Sequence, residues 1–214
     1  MTLASAPILQ IFAREPVAGG VKTRLAAAIG AERAVAAYRE LTATTLEHAR
    51  RAQAAGIIAA VEIWCSPSAR SSWFDACAAT VAASLHEQLQ ADLGMRMQSA
   101  IAAGLTRTNR VLLIGTDCPV LDATALAAAA AMLHTHDAVL TPAEDGGFVL
   151  VGARVPLAFD GVQMSTPSTV QYTLARFAQQ GLQCGVLPAL WDVDVVADLE
   201  RWQQLRVLAR APTA

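Results

Sequence analysis

Two kinds of stretch alternate along the chain. Short apolar runs, Pro7 to Ala13, Ile57 to Trp64, Val111 to Ile114, Ala138 to Thr141, Phe148 to Val151 and Gln183 to Leu187, are too brief for helices. They read as strands, and the unbroken run Val111-Leu-Leu-Ile114 suits a strand covered on both faces of a parallel sheet. Between them, apolar positions recur at spacings of three and four. Val35, Tyr38, Leu41, Thr45 and Ala49 mark an amphipathic helix that starts at Ala31 and stops at Gly56. Further helices are predicted over Ser68 to Val81, around Met97, Ile101 and Leu105, over Ala123 to Leu133 behind an Asp122 N-cap, over Ser168 to Gln180, and over Val195 to Leu208. Gly104 is expected to weaken the second of these near its end. Ala82 to His86 reads as a short strand ahead of the polar stretch Glu87 to Gly94.

Strands alternating with helices predict a three-layer α/β/α sandwich around a mainly parallel sheet. The stretch Pro142 to Gly147 joins two strands through a turn, which makes the sheet mixed. No linker, repeat or low-complexity tract interrupts residues 1–214, so a single domain is expected.

Composition narrows the function classes. Hydrophobic residues make up 54% of the chain and charged residues 16%, a balance for a packed globule and against disorder. The net charge of −2 provides no broad basic field for nucleic acid or an anionic membrane, so any phosphate site must be local. The longest apolar run, Ala125 to Leu133, falls short of the roughly 20 residues of a membrane span. The first residues lack the basic and apolar regions of a secretory signal, and the expected location is the cytoplasm. Cys65, Cys77, Cys118 and Cys184 form no CxxC, which argues against zinc, iron–sulfur clusters and a disulfide framework.

Candidate chemistry begins at Asp117. The run ending at Ile114 is followed by Gly115, which is expected to let the backbone turn, and Asp117 then stands at the carboxyl edge of the sheet, where open α/β sheets bind ligands. An Asp before such a turn also serves as a turn starter, and on this stretch alone the two readings are even. The loop after the first strand, FAREPVAGGVKTRL, gathers Arg14, Lys22 and Arg24 around Gly19 and Gly20, a composition for a di- or triphosphate. It is neither a Walker A loop nor a GxGxxG turn. A phosphate held there and Asp117 would repel by about 4 kcal/mol at 4 Å and an effective dielectric near 20, and a divalent cation between them reverses the sign. Oxygen ligands of this kind suit Mg²⁺ or Mn²⁺ held by one or two carboxylates. The second carboxylate is open among Asp192, Asp194, Asp198 and Asp145. In an extended Asp192-Val-Asp194 the two acids share a face; alternatively, the acids from Asp192 to Asp198 form the acidic start of the closing helix. In Glu144-Asp145-Gly146-Gly147 a carboxylate sits beside backbone room for an acceptor, against the plain reading of a hairpin turn. Asp92 and Arg96 fall at a helix start, with Asp92 as cap, and His134 and His136 suit carbonyl capping better than metal.

Five segments, FAREPVAGGVKTRL, LHEQLQADLGMRMQSA, LLIGTDCPVL, PAEDGGFVL and DVDVVADL, occur in the order of the bacterial DUF2064 family, and over nearly its whole length the chain resembles those glycosyltransferase-like proteins associated with radical-SAM and selenodomain proteins. The resemblance implies the GT-A, nucleotide-diphospho-sugar transferase fold, related to guanylyltransferases. It implies that the first loop, through Ala13, Arg14, Gly19 and Gly20, takes the nucleotide, with Lys22 and Arg24 on its phosphates and Arg96 nearby. It implies that Asp117 and Asp194 hold the metal, and that Asp145 lies by the donor sugar or the acceptor. Two positions depart from the family pattern: Met164 stands before Ser165-Thr166 where relatives carry Trp, and Val195 follows the Asp-x-Asp where Thr is frequent. These departures bear on acceptor recognition.

The expected function is metal-dependent transfer of a sugar from a nucleotide-diphospho-sugar to a small acceptor, with Asp117, Asp145 and Lys22 as the catalytic set. The alternative is nucleotidyl transfer from an NTP to a phosphorylated acceptor with release of pyrophosphate. A non-catalytic nucleotide-binding protein is the third reading. A haloacid-dehalogenase-like phosphatase is excluded because its nucleophilic Asp belongs just after the first strand, where this chain has Arg14.

Overall fold

The structure is a computed structural model that describes residues 6–210. Its strands are β1 (Ile8–Arg14), β2 (Ala60–Ser66), β3 (Ser84–Glu87), β4 (Val111–Ile114), β5 (Ala138–Pro142), β6 (Phe148–Ala153) and β7 (Cys184–Val186). Its helices are α1 (Thr23–Ile29), α2 (Ala31–Ala54), α3 (Ser72–Val81), α4 (Leu93–Leu105), α5 (Ala123–Met132), α6 (Thr169–Gln179) and α7 (Val196–Arg210). One seven-stranded sheet runs in the order β3-β2-β1-β4-β6-β5-β7. Only β6 runs against its neighbours β4 and β5; the other pairings are parallel.

The two-residue period of the strands builds the three layers. In β4, Leu112 and Ile114 face a core shared with α2, α3 and α5 through Leu46, Phe74 and Leu126. Val111 and Leu113 face the opposite core with Met97 and Ile101 of α4 and Phe177 of α6. A strand covered on both sides has no solvent face, which is why its sequence shows no alternation. A third cluster ties α1, α2 and α7 together around Leu25, Leu41, Val193 and Trp202.

Three boundaries differ from the sequence reading. The segment Thr23–Ile29 is a helix of its own; the cations of the first loop were expected at a helix start, but a single buried Leu25 in seven residues leaves no period that bounds it. Gly30, at φ 88°, then separates it from α2. β2 starts at Ala60, since Ile57 N–H still closes the end of α2 on the Ala52 carbonyl. α3 starts at Ser72 behind an Ser71 cap, because Ser68 is taken up by Glu87 through its hydroxyl.

Gly104 lets α4 dock. A Cβ at this position would stand 2.7 Å from Val111 Cγ2 and 2.8 Å from Gln10 Nε2. Gln10 is fully buried and donates to the Ala100 carbonyl at 2.7 Å and to Glu62 Oε2 at 3.0 Å, while Arg107 Nε donates to Glu62 Oε1 at 3.2 Å. This polar knot fixes α4 against β1 and β2, and so fixes the helix start that carries Arg96.

The β5–β6 turn is equally constrained. Gly146 has φ 91°, and a Cβ on it would lie 2.0 Å from the Pro167 carbonyl oxygen. Gly146→Ala is therefore expected to lose about 2–4 kcal/mol of unfolding free energy, from left-handed strain plus a backbone clash. Equilibrium urea unfolding checks this; a loss under about 0.5 kcal/mol would contradict the close approach.

Candidate active site

A cavity of about 520 Å³ opens at the carboxyl edge of the sheet. β1 supplies Arg14, the loop before α1 supplies Lys22, the end of β4 supplies Gly115 and Asp117, the β5–β6 turn supplies Asp145, and the segment after β7 supplies Asp192 and Asp194. Gln88 and Arg96 come from the far side, beyond β3.

Lys22 is the single lysine of the chain, and its side chain is 4% exposed. Its ammonium stands 2.9 Å from Asp117 Oδ1, and it also donates to the Val193 carbonyl. The contact with Asp117 is an ion pair without hydrogen-bond alignment, so Oδ1 is buried with no hydrogen bond. Val193 N–H donates to the Asp117 carbonyl at 2.9 Å, which binds the segment after β7 to the end of β4. Lys22 thereby joins three segments that are far apart in sequence. Its backbone is left-handed, at φ 48° and ψ 47°. Among the described residues three non-glycine positions have positive φ, and two of them, Lys22 and Ser165, line this cavity. Such conformations cost about 1–2 kcal/mol each and concentrate at functional sites.

The two acids of Asp192-Val-Asp194 both border the cavity, with Val193 buried between them, as the parity of an extended segment requires. Their partners differ. Asp194 pairs with Arg24, in a contact whose arginine is 68% exposed. Asp198 accepts from Asp194 N–H and Val195 N–H, each at 2.9 Å, so the acidic helix start and the cavity acids are separate members of one segment. Among the described residues Asp192 has no such ion pair. Burial, then the nearby Asp145, push its carboxyl up to about 6; Lys22 opposes this and Asp117 adds to it. Asp117, Asp145 and Asp192 thus share one region of negative charge beside one ammonium. Carboxylate oxygens are the right donors for a hard divalent cation. Among the described residues no three acidic, His or Cys side chains are gathered closely enough to cage a metal by themselves, so a cation here would take one or two carboxylates and complete its shell with ligand oxygens.

Asp145 accepts from Gly147 N–H at 2.9 Å, which holds the carboxylate at the turn, while Glu144 points away and pairs with Arg201 of α7. The other end of the cavity is basic. Arg14 donates to the Gly20 carbonyl, its own backbone is gripped by the Tyr38 hydroxyl at 2.8 and 3.1 Å, and its guanidinium has no carboxylate partner among the described residues. Arg96 donates to Gln88 Oε1 at 2.9 Å and its buried Nε has no hydrogen bond. Burial and the proximity of Arg14 both work against the charge on Arg96. Gln88 donates to the Trp64 carbonyl at 2.7 Å and to the Ala13 carbonyl at 3.4 Å, so the donors this corner offers are the two guanidinium groups.

Sequence reasoning singled out Arg14, Lys22, Arg24, Arg96, Asp117, Asp145 and Asp194, and all seven line the cavity with Ala13 and Gly20. Gly19, at φ 77°, shapes the first loop and is not part of the lining. Tyr38, Gln88 and Ser165 went unremarked as site residues: Tyr38 was read only as a core position, and nothing in the sequence signals that a buried glutamine faces a cleft. Gly115 was expected to permit the turn, yet its φ is not left-handed and a Cβ on it would meet nothing within 4 Å. Its bareness matters only to whatever passes through the cavity. Cys118 is a buried thiol pushed up to about 12 by burial, and it is unsuited to act as a nucleophile.

The profile of a family described as an uncharacterized protein conserved in bacteria, DUF2064, matches residues 40–166, more than half of the chain. The chain belongs to the DUF2064 family. The matched part includes Asp117 and Asp145, whereas Lys22, Asp192 and Asp194 lie outside it. Among solved structures, a protein of Desulfovibrio desulfuricans G20 provisionally assigned as a nucleotide-diphospho-sugar transferase is 27% identical, with a TM-score of 0.82 over 95% of this chain and 88% of that one. A CMP:2-keto-3-deoxy-manno-octonic acid synthetase complexed with CTP is 11% identical, with a TM-score of 0.61 over 96% and 100%. The inositol-1-phosphate CTP transferase of T. maritima is 11% identical, with a TM-score of 0.57 over 99% of each chain. The fold of this DUF2064 protein is thus that of the nucleotide-diphospho-sugar transferases, as expected. No curated protein matches the chain. Among the described residues no helix is long and apolar enough to cross a membrane.

Two predictions follow from the geometry. The contribution of the Asp192 carboxyl to stability is complete below the ordinary value of 3.8 and is lost as pH rises through about 6. In a metal chelator, Asp192→Asn is therefore expected to be as stable as the parent near pH 4 and more stable at pH 7.5, read by thermal melting at both pH values; equal stability at both would remove the crowding of charge. Gly115→Ala is expected to keep or slightly raise stability, by up to about 1 kcal/mol, while weakening any ligand that crosses the cavity floor. A parallel melt and binding titration test both halves.

Proposed function

We propose that this cavity binds a nucleotide and that the protein is a divalent-metal-dependent transferase, moving a sugar from a nucleotide-diphospho-sugar to a small acceptor. The observation that carries the reading is the meeting of the buried Lys22 with Asp117, Asp145 and Asp192 at the sheet edge. A purely structural role gives no reason to spend a sole lysine and three acids on one open cavity. The likeness to the Desulfovibrio protein supports the sugar-nucleotide donor.

In this reading Lys22 and Arg24 hold the diphosphate of the donor, and Asp117, with Asp192 or Asp194, holds Mg²⁺ or Mn²⁺. The Arg24–Asp194 pair is exposed, and such pairs contribute about 0–1 kcal/mol, so a ligand opens it cheaply. When bound, the cation would offset the negative charge that develops on the departing diphosphate. The acceptor hydroxyl attacks the anomeric carbon, the bond from that carbon to the diphosphate oxygen breaks, and the nucleoside diphosphate leaves. Asp145 is placed to accept a hydrogen bond from the acceptor. Where Asp194 is the second metal ligand, the Asp192 carboxylate is free to take the acceptor's proton. Arg14 and Arg96 furnish donors for the remainder of the nucleotide, with Gln88 fixing the Arg96 guanidinium.

Nucleotidyl transfer is the second reading, favoured by the CTP-using proteins that share the fold. There an acceptor phosphate oxygen attacks the α-phosphorus of an NTP and pyrophosphate departs. A thermal-shift screen of NTPs and sugar nucleotides with Mg²⁺ or Mn²⁺ identifies the donor, since a ligand at 100 times its Kd stabilises by about 2.7 kcal/mol. Release of nucleoside diphosphate supports the first reading and release of pyrophosphate the second. Asp117→Asn is expected to abolish turnover and the metal-dependent part of nucleotide affinity while keeping a cooperative melt at a lower midpoint, because Lys22 loses its counter-charge. Unchanged Mn²⁺-dependent affinity in that variant would sink the assignment of Asp117.

A further inference from the structure

The two groups assigned to opposite ligands are bound to each other. Lys22, the candidate phosphate ligand, and Asp117, the candidate cation ligand, form one ion pair at 2.9 Å, with the ammonium 4% exposed. A ligand for either group meets the other as a rival. A divalent cation arriving alone at Asp117, whose side chain is 45% exposed, competes with the ammonium for the carboxylate's charge and leaves that ammonium, 4% exposed, to the Val193 carbonyl. An unpaired buried charge is strongly unfavourable. A phosphate arriving alone at Lys22 strips Asp117 of its counter-charge and leaves it facing Asp145 and Asp192. When both arrive, the cation answers the carboxylates and the phosphate answers the ammonium, and no charge is stranded.

We propose that the Lys22–Asp117 ion pair is a built-in competitor for both ligands, holding back a divalent cation and an anion singly and yielding to the two together. This rests on the reading of the cavity as a nucleotide site. It differs from the simple bridging of a metal and a diphosphate, because the restraint lies in the protein: removing Lys22 must make the metal bind better. The first loop enforces the arrangement. Lys22 is fixed as the left-handed residue immediately before α1, and the segment carrying Val193 is tied to Asp117 through Val193 N–H at 2.9 Å. The ammonium has no second position to occupy without a new partner.

The test uses the full chain and follows free Mn²⁺ by electron paramagnetic resonance, with calorimetry for the anion. Pyrophosphate is the base-independent probe, alongside the common nucleoside diphosphates, with allowance for complexes formed in solution. In wild type, each ligand is expected to tighten the other by about tenfold or more, reciprocally, as linkage requires. In Lys22→Met, Mn²⁺ alone is expected to bind about tenfold more tightly than to wild type, while pyrophosphate affinity falls. In Asp117→Asn, pyrophosphate in chelator is expected to bind more tightly than to wild type, and added Mn²⁺ no longer helps. Mn²⁺ affinity that is unchanged or weaker in a Lys22→Met protein with a cooperative melt overturns the proposal, since bridging alone or a structural lysine predicts that result. If that variant does not fold, Asp117→Asn decides by the same sign rule. Coupling absent in wild type, with both ligands bound, overturns the competitor and leaves the nucleotide reading standing. No binding of pyrophosphate or any nucleoside diphosphate, with or without Mn²⁺, overturns both.

Discussion

The site depends on how one buried ammonium is satisfied. Lys22 cannot be sheltered from water unless opposite charge and a carbonyl meet it, because an isolated buried charge costs several kcal/mol even after relaxation. Asp117 and the Val193 carbonyl supply them. Those two partners come from the end of β4 and from the segment after β7, so meeting the demand of one side chain closes the first loop, the central strand and the C-terminal segment around one point. The Val193 N–H to Asp117 carbonyl bond then makes the closure rigid. The side chain of Val193, packed with Leu25 and Trp202, places this joint against the α1–α2–α7 cluster. Packing, backbone pairing and charge converge there, and they position Asp192 and Asp194 on the cavity wall.

The topology separates charge across the cavity. Residues beyond β1 toward β3 bring Arg14, Arg96 and Gln88, and residues from β4 toward β7 bring Asp117, Asp145 and Asp192. The net charge of −2 conceals this local division, which is why composition could exclude broad nucleic-acid binding and still permit a phosphate site. The basic end is held from beneath by the buried Gln10–Glu62–Arg107 knot, where Gln10, Arg107 and Trp64 donate to a carboxylate whose burial alone would favour its neutral form. Together these donors lower the Glu62 value despite burial, so the knot stays ionised and holds α4 in register.

Much of this architecture was legible in the sequence because strands covered on both faces leave unmistakable apolar runs, and Val111–Ile114 located the central strand without error. The caps at Asp92 and Asp122 were legible for an equally local reason: each accepts from the N–H three residues on. What the sequence withheld was non-local. No period within Thr23–Ile29 bounds a helix that buries a single leucine. Gly104 reads as a helix weakness until β4 stands against it, and Gly115 reads as a turn residue although its backbone needs no glycine. Gln88 depends on a β2 carbonyl 24 residues away. Pairwise interactions of this sort have no periodicity and no local composition, so propensity and pattern cannot find them.

The acids after β7 show how such a limit resolves. Parity alone puts Asp192 and Asp194 on one side, and the sequence gives no reason to prefer either as the partner of Asp117. The choice is made by a third residue. Arg24 lies two residues beyond Lys22 and reaches Asp194, which takes that acid into an exposed ion pair and leaves Asp192 facing Asp145. An exposed pair of this kind contributes little, and the region's excess negative charge collects where Asp117, Asp145 and the half-buried Asp192 meet. The Lys22 ammonium is held at that meeting point, paired with one of the three acids.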